Sequence, residues 1–244
     1  DLKRYYAETS KGPYLSLNED GVLVDLDNQL FSVFDGFGGS GIGDECVQIV
    51  ETTLRENYGM LTSDPDATLP IFYSEKYSIE SNALINTMLL AHEKVITRNN
   101  PVEISQRGGT STISAVFADG VVQLFGTGNC IAIKASKENI SPVMLPDSRY
   151  EFSFFNKELT HSQFPMSAIG LFSLLHYQIR EVPVVASDRI FLMSDGAYSR
   201  LSGVELSVIL NRRECSLREI TTEILSLAND RGNKDNQSVL ILEF

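Results

Sequence analysis

The chain has 244 residues, enough for one sizeable buried core, and its formal net charge of -12 opposes a nucleic-acid surface, which needs clustered Lys and Arg. No apolar run is long enough to cross a membrane, and no signal-peptide pattern follows Asp1. Cys46, Cys130 and Cys215 are odd in number, widely spaced and form no C-x-x-C pair, which points to reduced thiols in the cytoplasm rather than a disulfide framework or a zinc knuckle.

Taken in chain order, "GVLVDLDNQLFSVF" (Gly21 to Phe34) reads as two β runs around Asp27-Asn28, a dipeptide suited to a hairpin turn. Counting outward from that turn sets Asp20 across from Asp35, with Glu19 one step further out. Gly36, Gly38 and Gly41 then spell G-x-G-x-x-G, the dinucleotide-binding fingerprint. Context opposes that reading. A dinucleotide fold requires a parallel strand soon after the glycine helix and an acid about 20 residues beyond the glycines. Here the strand belongs to an antiparallel hairpin, and the helix runs into "LTSDPDATLP".

Val47, Val50 and Leu54 recur at helical spacing and predict a helix over roughly Gly43 to Tyr58. A second helix starts at Ser78 as N-cap, with Leu84, Met88, Ala91 and Val95 as its apolar stripe. The run "GGTSTISAVFADGVVQLFGTGNCIAIKAS" (Gly108 to Ser136) reads as a three-stranded meander turning at Asp119-Gly120. Residues 146–165 are aromatic, polar and aperiodic, and are expected to form an irregular flap.

"RIFLMSDG" reads as a strand ending in Asp195. Ser202 with Glu205 and Ser216 with Glu219 make capping boxes for two helices, the second closed by Gly232. The last strand, "QSVLILEF", begins just after Asp235. No repeat or linker divides residues 1–244, so a single domain is expected. Blocks of strands apolar on both faces predict an α+β fold, two packed antiparallel sheets flanked by helices in an α-β-β-α sandwich.

The candidate site follows from the strand ends. Asp35 and Asp195 close β runs, whereas Glu19 and Asp235 open them, and in antiparallel neighbours those ends coincide. For any single acid a solvated surface position is the ordinary expectation. Four carboxylates at one sheet edge would repel one another unless cations neutralise them. Hard oxygen ligands with room for water favour Mg²⁺ or Mn²⁺ over zinc. The glycines after Asp35 let the backbone approach closely enough for the Gly36 carbonyl to join them.

The ordered strings "NED", "VFDGFGG", "GGTSTISAVF", "GTGN", "FLMSDG" and "DNQSVLILEF" resemble the type 2C metal-dependent protein phosphatases, from about Gly12 to the C-terminus. The chain looks like a bacterial-style, minimal member. The resemblance implies a β-sandwich flanked by helices, with a binuclear Mg²⁺ or Mn²⁺ site that hydrolyses phosphoserine and phosphothreonine. It implies that Asp35 bridges the metals, that Glu19 and the Gly36 carbonyl complete one site, and that Asp195 and Asp235 complete the other. Asp20 becomes a residue that orients bound water. Hydrolysis would then use a water acidified between the metals, with no nucleophilic side chain. No Cys-x5-Arg loop is present, and Ser194 reads as a packing residue.

The chain also departs from that pattern. Leu15 stands where the family carries a phosphate-gripping Arg, with Lys11 or Arg107 as candidate substitutes. Phe37 replaces the His of eukaryotic relatives, a position where bacterial relatives often carry Met. Gly128-Asn129-Cys130-Ile131 replaces Gly-Asp-Ser-Arg, and Ser199 replaces an acid, so no strong third metal site is expected. His92 is expected at a helix surface, His176 packed in a strand, and His161 in the flap. The expected partners are a phosphorylated protein substrate and a cognate Ser/Thr kinase pathway, with no nucleic acid, no membrane and a monomeric state. The leading function is a metal-dependent phosphoserine/phosphothreonine phosphatase; the alternative is a catalytically silent domain that binds or scaffolds a phosphoprotein.

Overall fold

The computed structural model describes residues 1–63, 68–137, 139–153 and 158–244, and only the backbone within 148–164. In chain order the elements are β1 (Arg4–Ser10), β2 (Asp20–Asp25), β3 (Leu30–Phe37), α1 (Ile42–Ser63), α2 (Ile79–Asn99), β4 (Gly109–Ala118), β5 (Val121–Thr127), β6 (Ile131–Ala135) and β7 (Ile140–Met144). They continue with β8 (Ser148–Ser153), β9 (Glu158–Pro165), β10 (Gln178–Pro183), β11 (Arg189–Met193), α3 (Asp195–Tyr198), α4 (Gly203–Leu210), α5 (Leu217–Asp230) and β12 (Gln237–Glu243). One five-stranded sheet runs β1-β12-β11-β6-β7 and the other β10-β5-β4-β3-β2, all antiparallel.

Three apolar layers hold the sandwich together. Phe31, Val33, Ile113, Leu124, Ile190 and Leu240 fill the space between the sheets. From the same strand β3, Leu30 and Phe34 point the other way, onto Leu54 of α1 and Leu84 and Met88 of α2. On the opposite face, Ile220 and Ile224 of α5 pack on Met193 and Ile241. Strand residues alternate between faces, so a strand apolar at every position has hydrophobic cover on both, as the α-β-β-α expectation requires. Among the described residues no helix is long and apolar enough to cross a membrane.

Three expectations change. The stretch read as a meander divides between the sheets: β5 pairs with β4 and β10, while β6 pairs with β11 and β7. Gly128, at φ 82, makes the left-handed turn where the chain crosses. Alternating apolar residues look the same whether the next strand stays or crosses. The supposedly irregular flap contains the antiparallel hairpin β8-β9. Three strands of the two sheets went unrecognised, and β1, β7 and β10 are all edge strands, which bury too little to leave a clear period.

Candidate metal centre

The first hairpin places its acids as counted. Residues 26–29 form the turn, and β2 pairs with β3 so that Asp20 lies opposite Asp35. The neighbour of Asp35 on the other side is Ser111 of β4. Asp195 lies past the end of β11, not in it: it opens the one-turn helix α3. Its carboxylate accepts a 2.8 Å hydrogen bond from Asn129 Nδ2, while Tyr198 Oη donates to the Asn129 carbonyl at 2.6 Å. Asp235 precedes β12 and accepts from the Asn236 amide at 2.8 Å.

Glu19 answers what the glycines are for. Its Oε1 accepts from the amides of Gly41 and Gly43 at 2.9 and 3.1 Å, at the start of α1, where unpaired N–H groups favour an anion. The end of β3 crosses this helix start so closely that a Cβ on Gly43 would sit 2.7 Å from the Gly36 carbonyl carbon. The glycine string therefore serves a backbone crossing beside carboxylates, not a dinucleotide phosphate.

Glu19, Asp35, Gly36, Asp195 and Asp235 line one cleft of about 320 Å³, together with Phe37, Ser111, Asn129 and Pro165. Asp20 sits outside the lining, 7% exposed, accepting from Ser194 Oγ at 2.8 Å. That Oγ in turn accepts from the Ser238 amide at 2.9 Å. Neither Lys11 nor Arg107 lines the cleft; Arg107 Nε donates to the Val102 carbonyl at 3.2 Å. Leu15 is exposed, and the Ser199 amide donates to the Asp195 carbonyl at 2.8 Å.

Among the described residues no three His, Cys, Asp or Glu side chains already converge on a single ion position. The acids share a cleft rather than a closed cage, and one oxygen of Glu19 is turned to α1. Their electrostatics suit a cation all the same. Burial, followed by the charges of Asp195, Asp20 and Asp235, pushes Asp35 well above the usual carboxylate range. Asp20 rises to about 8, chiefly by burial and against the bond from Ser194. Asp195 rises to about 7, through burial and then the charge of Asp235. The donor set, carboxylates and a peptide carbonyl, fits a hard divalent cation.

Acids whose folded pKa lies above the unfolded value bind more protons when folded, so metal-free stability falls as pH rises from about 4 through 7 to 8. Thermal melts of metal-free protein at pH 5 and pH 8 are expected to show the lower midpoint at pH 8, and Mn²⁺ is expected to raise it more there. Equal metal-induced shifts at both pH values would count against a carboxylate cation site.

Ser194 carries a second expectation. Ser194→Ala strips Asp20 of one of its donors and the Ser238 amide of its acceptor, both groups buried, and is expected to cost roughly 1–3 kcal/mol in denaturant unfolding. A loss below a few tenths would mean that neither group depends on it.

Two histidines differ from expectation. His92 is buried, 5% exposed, and its Nδ1 accepts from the Gly170 amide at 3.1 Å, because the loop after β9 covers that face of α2. His176 is exposed and precedes β10; its backbone is engaged by Ser167 and Thr127. The His161 side chain lies outside the described residues. Sequence reasoning missed the supporting roles of Asn129 and Asn236. Both stood in the motif strings, and an Asn beside an apolar strand was the available signal.

No family model matches the chain, and no curated protein matches it. Solved structures do. PppA of Pseudomonas aeruginosa, described as a key regulatory component of T6SS, superposes with TM-score 0.78 at 19% identity, over 99% of this chain and 98% of that one. Staphylococcus aureus serine/threonine phosphatase Stp1 gives TM-score 0.78 at 18% identity, over 100% and 95%. The catalytic domain of serine/threonine phosphatase PstP, in complex with two manganese ions, gives 0.71 at 20%, over 98% and 97%.

Proposed function

The chain has the fold of the bacterial type 2C serine/threonine phosphatases, and from that premise we propose that it is a Mn²⁺- or Mg²⁺-dependent phosphoserine/phosphothreonine phosphatase. The single observation that carries the proposal is the cleft shared by Glu19, Asp35, the Gly36 backbone, Asp195 and Asp235 on that fold. These residues would hold two divalent cations. When bound, such a pair acidifies a water and neutralises charge on a phosphoryl group.

The chain's own residues supply the rest. Asn129 holds Asp195 in place, and the α1 amides hold Glu19. Asp20, steadied by Ser194, would orient bound water. Phe37 and Pro165 provide apolar walls. Two candidate nucleophiles are poorly placed: Ser194 is tied to Asp20, and burial pushes the Cys130 thiol well above its usual value, where it is no thiolate. The substrate is a phosphoprotein, in the pathway of a Ser/Thr kinase.

One observation favours the second reading, a catalytically silent phosphoprotein-binding domain: no Lys or Arg appears among the described lining residues. Turnover decides between them. Hydrolysis of p-nitrophenyl phosphate and of a phosphothreonine peptide is expected with Mn²⁺ and absent with a chelator, alongside calorimetric Mn²⁺ binding. Binding without turnover would select the silent domain; no binding would remove the metal site.

A further inference from the structure

The apolar wall of the cleft rests on a seat that α2 builds away from the acids. His92, Val95 and Asn99 follow one another at spacings of three and four, so one face of the helix presents all three. Gly170 lies so close to that face that a Cβ would collide with Val95 Cγ1. Its amide donates to His92 Nδ1 at 3.1 Å, and its carbonyl accepts from Asn99 Nδ2 at 3.0 Å. Asn99 also grips the residue before β4: Nδ2 donates to the Gly108 carbonyl at 2.7 Å, and Oδ1 accepts from the Gly108 amide at 3.2 Å. His92 and Asn99 are 5% and 2% exposed, so water offers these backbone groups no substitute partner. Two segments far apart in the chain therefore lie side by side on one helix, and Ile169 joins Thr110 through a reciprocal pair of 3.0 Å backbone hydrogen bonds.

The seat meets the cleft directly. A Cβ on Gly109 would collide with the Ile169 carbonyl oxygen and lie 2.7 Å from Phe37 Cζ, so the Phe37 ring occupies the space that Gly109 leaves beside Ile169. Phe37 lines the cleft, and so do Ser111, two residues past Gly109, and Pro165, four residues before Ile169. The acids are fastened by other means: Glu19 by the α1 amides, Asp195 by Asn129, and Asp35 by strand pairing on both sides. Loosening the seat moves a wall before it moves a carboxylate. We propose that His92 is a positioning residue: with Asn99 it seats Gly170 on α2, and through Ile169 and Gly109 it fixes the Phe37 wall against which a phosphoprotein substrate is held. The proposal rests on the phosphatase reading of the cleft and gives α2 a part in substrate binding rather than in metal binding.

The test measures kcat and KM for a phosphothreonine peptide, with calorimetric Mn²⁺ affinity, in wild type and in variants of the seat. His92→Leu removes the acceptor, and Gly170→Ala breaks the same contact from the other side. His92→Asn keeps the acceptor, since an Asn Oδ1 stands where Nδ1 stood. Leu225→Ala of α5, buried against the other sheet, lowers stability without touching the seat. His92→Leu and Gly170→Ala are expected to raise KM about 5-fold or more, with kcat and Mn²⁺ affinity within about 2-fold, which is lost binding rather than lost chemistry. His92→Asn is expected to stay within about 2-fold of wild type throughout. Unchanged KM in His92→Leu, an equal rise in His92→Asn or Leu225→Ala, or a matching loss of Mn²⁺ affinity would overturn the proposal while leaving hydrolysis standing. If His92→Leu does not fold, His92→Gln replaces it: its Oε1 extends one bond too far for the Gly170 amide, so KM should rise about 3-fold or more, and no rise overturns the proposal. Turnover of neither the peptide nor p-nitrophenyl phosphate would count against the phosphatase reading, and fluorescence anisotropy with a phosphonate analogue of the peptide then decides the seat. Binding weakened about 5-fold or more by His92→Leu and kept by His92→Asn supports it; absent or unchanged binding overturns it.

Discussion

Asp35→Asn is expected to abolish metal-dependent hydrolysis, lowering kcat/KM by on the order of 10³-fold or more, since residues that merely support a metal ligand already account for 10- to 100-fold. The same substitution is expected to stabilise the metal-free protein at pH 8. Asp35 is buried beside Asp195, Asp20 and Asp235, and its ionised form is strongly disfavoured there. A neutral amide of nearly the same shape removes that penalty, so the pH dependence of the metal-free melt should flatten as Mn²⁺ loses its stabilising effect. The two readouts move in opposite directions, which separates a lost metal site from a misfolded variant. Retained turnover would remove Asp35 from the centre of the proposal; lost turnover with lost stability would indicate a structural role.

Gly36→Ala is the second large effect. A Cβ at this position would collide with the Glu19 carbonyl oxygen and lie 2.7 Å from that of Gly43, both backbone atoms that cannot rotate away. Relief requires parting β3 from α1 or from the segment that carries Glu19. The expected cost is roughly 3 kcal/mol, or about 6–12 °C in Tm for a chain of this size. Metal affinity should fall with it, because Glu19, Asp35 and the Gly36 carbonyl all move. Gly39 supplies the control. At φ 69, with no neighbour within 4 Å of a Cβ, Gly39→Ala meets only backbone strain, about 1–2 kcal/mol, and should leave the cleft intact. Equal losses from the two substitutions would mean that the crossing is not what Gly36 protects.

Much of this architecture was legible in the residues alone, wherever local chemistry acts over a few positions. The register of the first hairpin follows from its turn and its apolar alternation, and Asp20 faces Asp35 as counted. Both capping boxes form as expected, Ser202 with Glu205 and Ser216 with Glu219, because each is a local exchange of hydrogen bonds. Strands apolar on both faces foretold the layers, since each face needs cover.

What remained hidden depends on residues far apart in the chain. Alternation could not say that β6 leaves the sheet of β5, because either sheet offers the same apolar partners. Edge strands bury one face poorly and so left little pattern in β1, β7 and β10. The burial of His92 depends on a loop that reaches it from 78 residues away. Acid residues and glycines could be listed from the sequence, but only the tertiary structure decided that Glu19 would be held by α1, that Asn129 would hold Asp195, and that one amide, Asn236, would tie the loop between β1 and β2 down next to Asp235. Local propensity acts between neighbours in sequence. The sharing of one desolvated cleft by distant carboxylates is set by packing across sheets, where burial turns ordinary acids into groups that favour a cation.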